Sequence, residues 1–170
     1  RGCPETYLID KASRSPSPFF RITGNHKEAD LEQGENREVF TSLCQFLWMQ
    51  GQLTPLIYDL SHEVYSVQGL TLPTLKPLEA AGLISVDPTG YVKKGFGQHT
   101  RLFYFGRPTK IRFLQEAGNQ LYLGHVLLTD KGKALAATNC NGQGNQRFYE
   151  YVIEKWFQQG LAVSSILRKQ

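Results

Sequence analysis

Between Pro88 and Arg112 the chain carries Lys93, Lys94, Arg101, Arg107, Lys110 and Arg112, together with His99 and no Asp or Glu. Cations without neutralising acids attract phosphate, and binding of this kind weakens steeply with salt because counterions are released. Aromatic residues are interleaved with these cations at Phe96, Phe103, Tyr104, Phe105 and Phe113, and aromatic rings are stacking platforms for bases. The same spacing has a second reading. If Thr109 to Leu114 is a strand, Lys110 and Arg112 lie on one face and Ile111 and Phe113 on the other, so the cations are solvated and the aromatics are core.

Other chemistry finds little support in the residue pattern. His26, His62, His99 and His125 fall in four separate predicted elements, and none belongs to a spaced His or Cys cluster that could hold a metal. Ser61, His62 and Glu63 are adjacent, which on a helix sends their side chains in different directions, so they do not form a triad. Gly95-Phe96-Gly97 and Gly142-Gln143-Gly144 lack the further glycine or lysine spacing of a phosphate cradle, and the second reads as a hinge. Cys3, Cys44 and Cys140 are odd in number and far apart, which predicts neither a disulfide framework nor a zinc knuckle, and Cys44 reads as a small buried hydrophobe. No catalytic residue, cofactor or metal is therefore expected, and the chain reads as non-enzymatic.

The elements that position the basic stretch come in a helical half and a strand-rich half. Asn36 is placed to cap a helix running through Gln50, with Val39, Phe40, Leu43, Phe46 and Leu47 at helical spacing. Thr54-Pro55 predicts the start of a second helix continuing to Gly69, with Leu56, Ile57, Leu60 and Val64 as its apolar stripe. A third follows from Thr71 to Gly82, with Leu75, Leu78 and Ala81 inward, and Pro77 is expected to kink it or delay its start to about Leu75. Pro55 to Gly82 thus reads as a helix-turn-helix. The exposed face of the third helix offers only Thr74, Lys76 and Glu79 to a groove, which is poor equipment for reading base edges.

Beyond Gly82 the period changes. Tyr91-Val92, Leu102 to Phe105, Thr109 to Leu114 and Gln120 to Leu128 are β-prone, with Gly118-Asn119 as a turn signal, and they are expected to form an extended hairpin wing. Leu121, Leu123 and Leu127 alternate toward one face, with His125 in register. A Thr129-capped helix over Asp130 to Ala137, a flexible break over 139–146 and an amphipathic helix from Gln146 to Gln159 complete the chain. The expected organisation is an irregular extension over 1–35, containing SRSPSP and the apolar patch Phe19, Phe20 and Ile22, a winged-helix domain with a long β insert over 36–137, and a linker with a C-terminal helix over 138–170.

At 170 residues and 41% hydrophobic content the chain can bury one good core. Its apolar runs are a few residues long, far short of the roughly 20 needed to span a bilayer, and a cytoplasmic location is expected. Because residue 1 is Arg, a piece of a longer protein or a processed product is expected as well. Residues 1–66 hold 6 Lys/Arg against 9 Asp/Glu, whereas residues 67–170 hold 13 against 6, so the net charge of +4 hides an acidic and a basic part.

LKPLEAAGLI followed by VLLTDKGKALA resembles the helix-to-wing junctions of bacterial multiple-antibiotic-resistance-type regulators. The long insert from Gly82 to Thr129 and the lack of a basic recognition helix depart from them. Across about Glu38 to Gly160, the succession VFTSLCQFLW, PLIYDL, LPTLKPLEAAGLI, a long β insert, LTDKGKALA and a closing aromatic helix is similar to the bacterial family called domain of unknown function 2806. That resemblance implies a fold and no activity. The expectation is an α+β winged helix that binds duplex DNA or another nucleic acid with little sequence specificity, using Lys93, Lys94, Arg101, Arg107, Lys110 and Arg112 on phosphates and Thr74 and Lys76 near bases. The alternative is an interaction module, in which the apolar third helix and Phe148, Val152 and Trp156 of the last helix meet a second copy or an upstream domain.

Overall fold

The computed structural model describes residues 34–165, which form a mixed α+β fold. Most of the expected extension over 1–35, with Phe19, Phe20, Ile22, Cys3 and His26, lies outside the described residues. Residues 34 and 35 open the first helix, α1, Gly34–Leu43, which contains Asn36 and buries Phe40 and Leu43. This helix does not run to Gln50. It tightens into a 3-10 turn at Cys44–Phe46 and gives way to strand β1, Leu47–Gln50. Gln50 faces Gln52 across Gly51, whose φ of 70° suits glycine, and β2, Gln52–Pro55, returns antiparallel. Helical spacing at Phe46 and Leu47 was outweighed by pairing partners on two sides, since β1 also joins a later strand through Met49 and Phe103.

Pro55 likewise closes a strand instead of opening a helix. Leu56 and Ile57 continue extended into the core, where the Ile57 carbonyl accepts from the His125 N–H at 2.9 Å. Gly124 makes this approach feasible: a Cβ there would lie 2.3 Å from the Ile57 oxygen. The second helix is reduced to one turn, α2, Glu63–Ser66, capped by His62, whose Nδ1 accepts from the Val64 N–H at 3.1 Å. The third, α3, Leu72–Ala80, begins directly after Thr71 and passes through Pro77. Pro73 and Pro77 both sit on its exposed side, where water can take the carbonyl that Pro77 leaves unpaired.

The strand-rich half is two nested pairs and not a single hairpin wing. Strand β3, Ile84–Phe96, pairs antiparallel with β6, Asn119–Leu128, while the segment between them forms β4, His99–Tyr104, and β5, Arg107–Arg112. That inner hairpin leaves the outer pair and joins β1, and β7, Ala162–Ser165, closes the other edge, giving a five-stranded antiparallel sheet in the order β2-β1-β4-β5-β7. Gly118-Asn119 marks a junction between the pairs: the Asn119 amide donates to the carbonyls of Gly97 and Gln115 at 3.1 and 2.8 Å. Along β6 the buried alternation changes phase at Gly124, whose φ is 86°, from Leu121 and Leu123 to Val126 and Leu128, so Leu127 and His125 do not continue the inward row expected for them.

Helix α4, Asp130–Asn139, is capped by Thr129, and α5, Gln146–Gln158, by Asn145. Helix α5 packs on the inner face of the five-stranded sheet and belongs to the same core as α1–α3, so within the described residues α5 is part of the domain and not an appended piece. Trp48 and Trp156 meet edge to face at 5.0 Å, Trp48 stacks on Tyr149 at 5.5 Å, and Phe46 meets Phe148 at 4.8 Å. Two polar contacts in this aromatic core are hydrogen-bonded, Trp156 Nε1 donating to Tyr58 Oη at 3.0 Å and the Thr109 and Tyr149 hydroxyls lying 2.7 Å apart, whereas Trp48 Nε1 and the Tyr151 hydroxyl are buried without a partner. Cys44 and Cys140 are joined in a disulfide across 96 residues with a Cα–Cα separation of 5.4 Å, which corrects the expectation of no bridge. Counting local Cys spacings misses it because the fold, and not the chain, brings the end of α1 to the end of α4.

Candidate nucleic-acid interface

With α5 covering one face of the five-stranded sheet, strand alternation sends every second residue to the open face. Register defines that face as rows. The first is Leu53, Met49, Phe103 and Pro108, directly opposite one another across β2, β1, β4 and β5. The second is Arg101, Lys110 and Ser164, and the third is His99, Arg112 and Ala162. Arg101, Lys110, Arg112 and His99 are exposed, and Met49 and Phe103 remain 40% and 38% exposed despite their apolar character. The alternate residues Trp48, Leu102, Tyr104, Thr109 and Ile111 are buried on the covered side, with Trp48, Tyr104 and Thr109 against α5 and Leu102 lining a small cavity with Phe96, Leu121 and Leu123 of the β3–β6 pair. No Asp or Glu occurs in any of the five strands, and none of the ion pairs among the described residues involves Arg101, Lys110 or Arg112. The result is an apolar row lying beside a cationic one.

The six basic residues singled out in the sequence are therefore divided. Arg101, Lys110 and Arg112 share the open face, with Ile111 and Phe113 buried as the alternation required. Arg107 does not join them. It lies opposite Tyr104 on the covered side, its guanidinium 4.2 Å from the centre of the Tyr149 ring and its Nη1 donating to Gln146 at 3.2 Å, so it fastens α5 to β5. Lys93 is half-buried opposite Leu121, and its ammonium donates to the Gln50 side chain, which ties β3 to β1. Lys94 points to the other side of β3 and is exposed. A linear charge run could not reveal this division, because it depends on which strand pairs with which.

The helix-turn-helix residues divide too. Thr74 is occupied as a cap: its hydroxyl accepts from the Thr71 N–H at 2.8 Å and donates to the Gly69 carbonyl at 2.8 Å. This corrects its assignment as a base-contacting group, whereas Lys76 is exposed. Phe148, Val152 and Trp156 are all 0% exposed, so they build the core and do not form a partner surface. The apolar side chain that α5 does expose is Phe157. Helical periodicity identified the inward face correctly, but a sequence reading with no sheet in view left that face without a partner.

Among the described residues the histidines hold separate positions, His62 as the cap of α2. His99 is on the open sheet face, whereas His125 sits at the bulge of β3, with Nδ1 3.0 Å from the Asp87 carbonyl and Nε2 3.2 Å from Tyr122 Oη. Asp59, Asp87 and His125 border one groove together with Tyr58 and Lys155, and one oxygen of each carboxylate is held by its own turn, Asp59 Oδ1 by Ser61 and Asp87 Oδ1 by Thr89. Hydrogen bonds from Ser61 hold the Asp59 carboxyl below the usual carboxylate range, and those from Thr89 do the same for Asp87. Among the described residues no group of three or more His, Cys, Asp and Glu could hold a metal, and no helix is long and apolar enough to cross a membrane. Compared with protein-family models, with curated proteins and with solved structures, the chain finds no match.

Proposed function

We propose that this chain is a non-enzymatic nucleic-acid-binding module that contacts phosphates through a basic β surface with little sequence specificity. The observation that carries this reading is the open sheet face on which Arg101, Lys110 and Arg112 stand together without an acid. Three unneutralised cations on adjoining strands raise the local positive potential, and keeping them free of ion pairs has no structural purpose, since like charges directly opposite destabilise a sheet. Lys94 and Lys76 are exposed cations that could extend the contact, while Arg107, Lys93 and Thr74 are engaged in holding the fold. A winged-helix origin for the α1–α3 and β3–β6 part fits this reading, with α3 as a packing helix and the inserted hairpin as the binding surface.

The test is binding of labelled DNA and RNA as a function of salt. With about three phosphate contacts, the logarithm of affinity should fall against the logarithm of salt with a slope of roughly −2 to −3. Absence of binding at low ionic strength would sink the proposal. Self-association is the second reading, and it rests on Phe157, which is 57% exposed on the outer side of α5. Phe157→Glu would then convert an oligomer to a monomer in light scattering, and a monomeric wild-type chain would dismiss it.

A further inference from the structure

We propose that the open face of the five-stranded sheet takes single-stranded nucleic acid in preference to duplex, with Phe103 and Met49 as the platform for bases and Arg101, Lys110 and Arg112 as the phosphate contacts. The inference rests on the nucleic-acid reading above and specifies its ligand. It is carried by the order of the rows. Leu53, Met49, Phe103 and Pro108 form an apolar band across four strands, and Arg101 and Lys110 lie two residues further along the same strands, about 7 Å away. A strand of nucleic acid has the same two-sided character at similar scale, with π-faces on one side and charged phosphates on the other.

In a duplex the faces of the bases are stacked on each other and closed to protein, so an exposed Phe on a sheet has nothing to stack against. A surface built only for duplex backbone needs cations and polar donors, and the 38% exposed ring of Phe103 beside the 40% exposed Met49 would serve no purpose there. Charge complementarity selects a polyanion as the occupant, since the five strands contain no acid. The ring selects one with accessible bases. Phe103 is at the centre of the band, flanked by Met49 and Pro108, so a stacked base would be bordered by apolar side chains on both sides.

The experiment measures fluorescence anisotropy of a labelled oligothymidylate and a labelled oligouridylate against a duplex of equal length, each about 12 nucleotides, within the usual span of one such surface. The single strands should bind the wild-type chain at least about tenfold more tightly than the duplex, and Phe103→Ala should weaken single-strand binding by about tenfold or more while leaving duplex binding unchanged. Phe103→Tyr should keep the affinity and Phe103→Leu should lose it, because leucine preserves the apolar bulk and the fold but has no π-face. Duplex bound as tightly as single strands, or a Phe103→Leu variant that binds like wild type, overturns the inference and leaves the broader nucleic-acid reading standing. No binding to any of the three probes at low salt overturns both.

Discussion

Arg101 and Lys110 stand directly opposite each other on the open face of the sheet, both exposed and without an acid between them. Like charges in cross-strand register destabilise, so this pair lowers the stability of the β4–β5 hairpin. Lys110→Glu should therefore raise stability, by about 0.2–1 kcal/mol in denaturant unfolding, because it turns a repulsive pair into an attractive one. The same substitution should weaken single-strand binding and make the salt slope shallower by roughly 0.7 for the lost phosphate contact. Gains and losses in opposite directions separate a functional cation from a structural one. If Lys110→Glu reduces stability, the pair is not repulsive and the argument from its cost is wrong.

Phe148, Val152 and Trp156 give the opposite case, apolar residues whose role is entirely internal. Trp156→Ala removes the edge-to-face contact with Trp48 and leaves the Tyr58 hydroxyl without its donor. A loss of about 3–5 kcal/mol in stability is expected, visible as a lower midpoint in urea. A Trp156→Ala chain as stable as wild type, but altered in its association with a second copy, would return the residue to the surface role that its helix pattern first implied.

Where the sequence reading succeeded, the governing interactions were local. Thr71 and Thr129 cap their helices through contacts three residues away, and the apolar stripe of α5 follows from spacing within one helix. Alternation from Lys110 to Phe113 sorted cations from core for the same reason. It failed where a distant segment decides. Leu47 to Gln50 and Gln52 to Pro55 are strands because β1 has β2 and β4 as neighbours, and neither pairing is written into the helical spacing of Phe46 and Leu47. The candidate site was half visible: its cations were legible, but the row that sets Phe103 beside Met49 exists only through the register between β1 and β4.

Joining Cys44 to Cys140 closes a loop of 96 residues and ties the end of α1 to the chain after α4. In the chain-entropy account, closing a loop of about 100 residues stabilises by up to about 4.7 kcal/mol at 25 °C. Reduction with dithiothreitol should lower the urea midpoint accordingly, and the Cys44→Ser, Cys140→Ser double variant should match the reduced protein. Thiol alkylation of the unfolded, unreduced chain should leave both residues unmodified in a peptide mass map. Alkylation at Cys44 under those conditions would show that the bridge does not form. A compartment that keeps thiols reduced, such as the cytoplasm expected from composition, would remove this contribution.

High pH should unfold the protein through its buried tyrosines. Burial pushes Tyr104 up to about 12, and burial, aided by the carboxylates of Asp59 and Glu154, pushes Tyr151 to about 12, while burial also raises Tyr58 and Tyr65. In the unfolded chain these phenols ionise near 10, so their contribution is intact below pH 10 and is lost as pH rises from about 10 through 12, at about 1.4 kcal/mol per pH unit for each tyrosine. Tyr151 isolates the effect, because its buried hydroxyl has no hydrogen-bond partner. Tyr151→Phe therefore removes a titrating group without breaking a bond, and stability at pH 7 should hold or rise slightly. Between pH 10 and 12 the variant should lose stability less steeply than wild type, by one tyrosine's share, in urea unfolding followed by circular dichroism. Identical slopes would mean that Tyr151 ionises in the folded protein as freely as in the unfolded one.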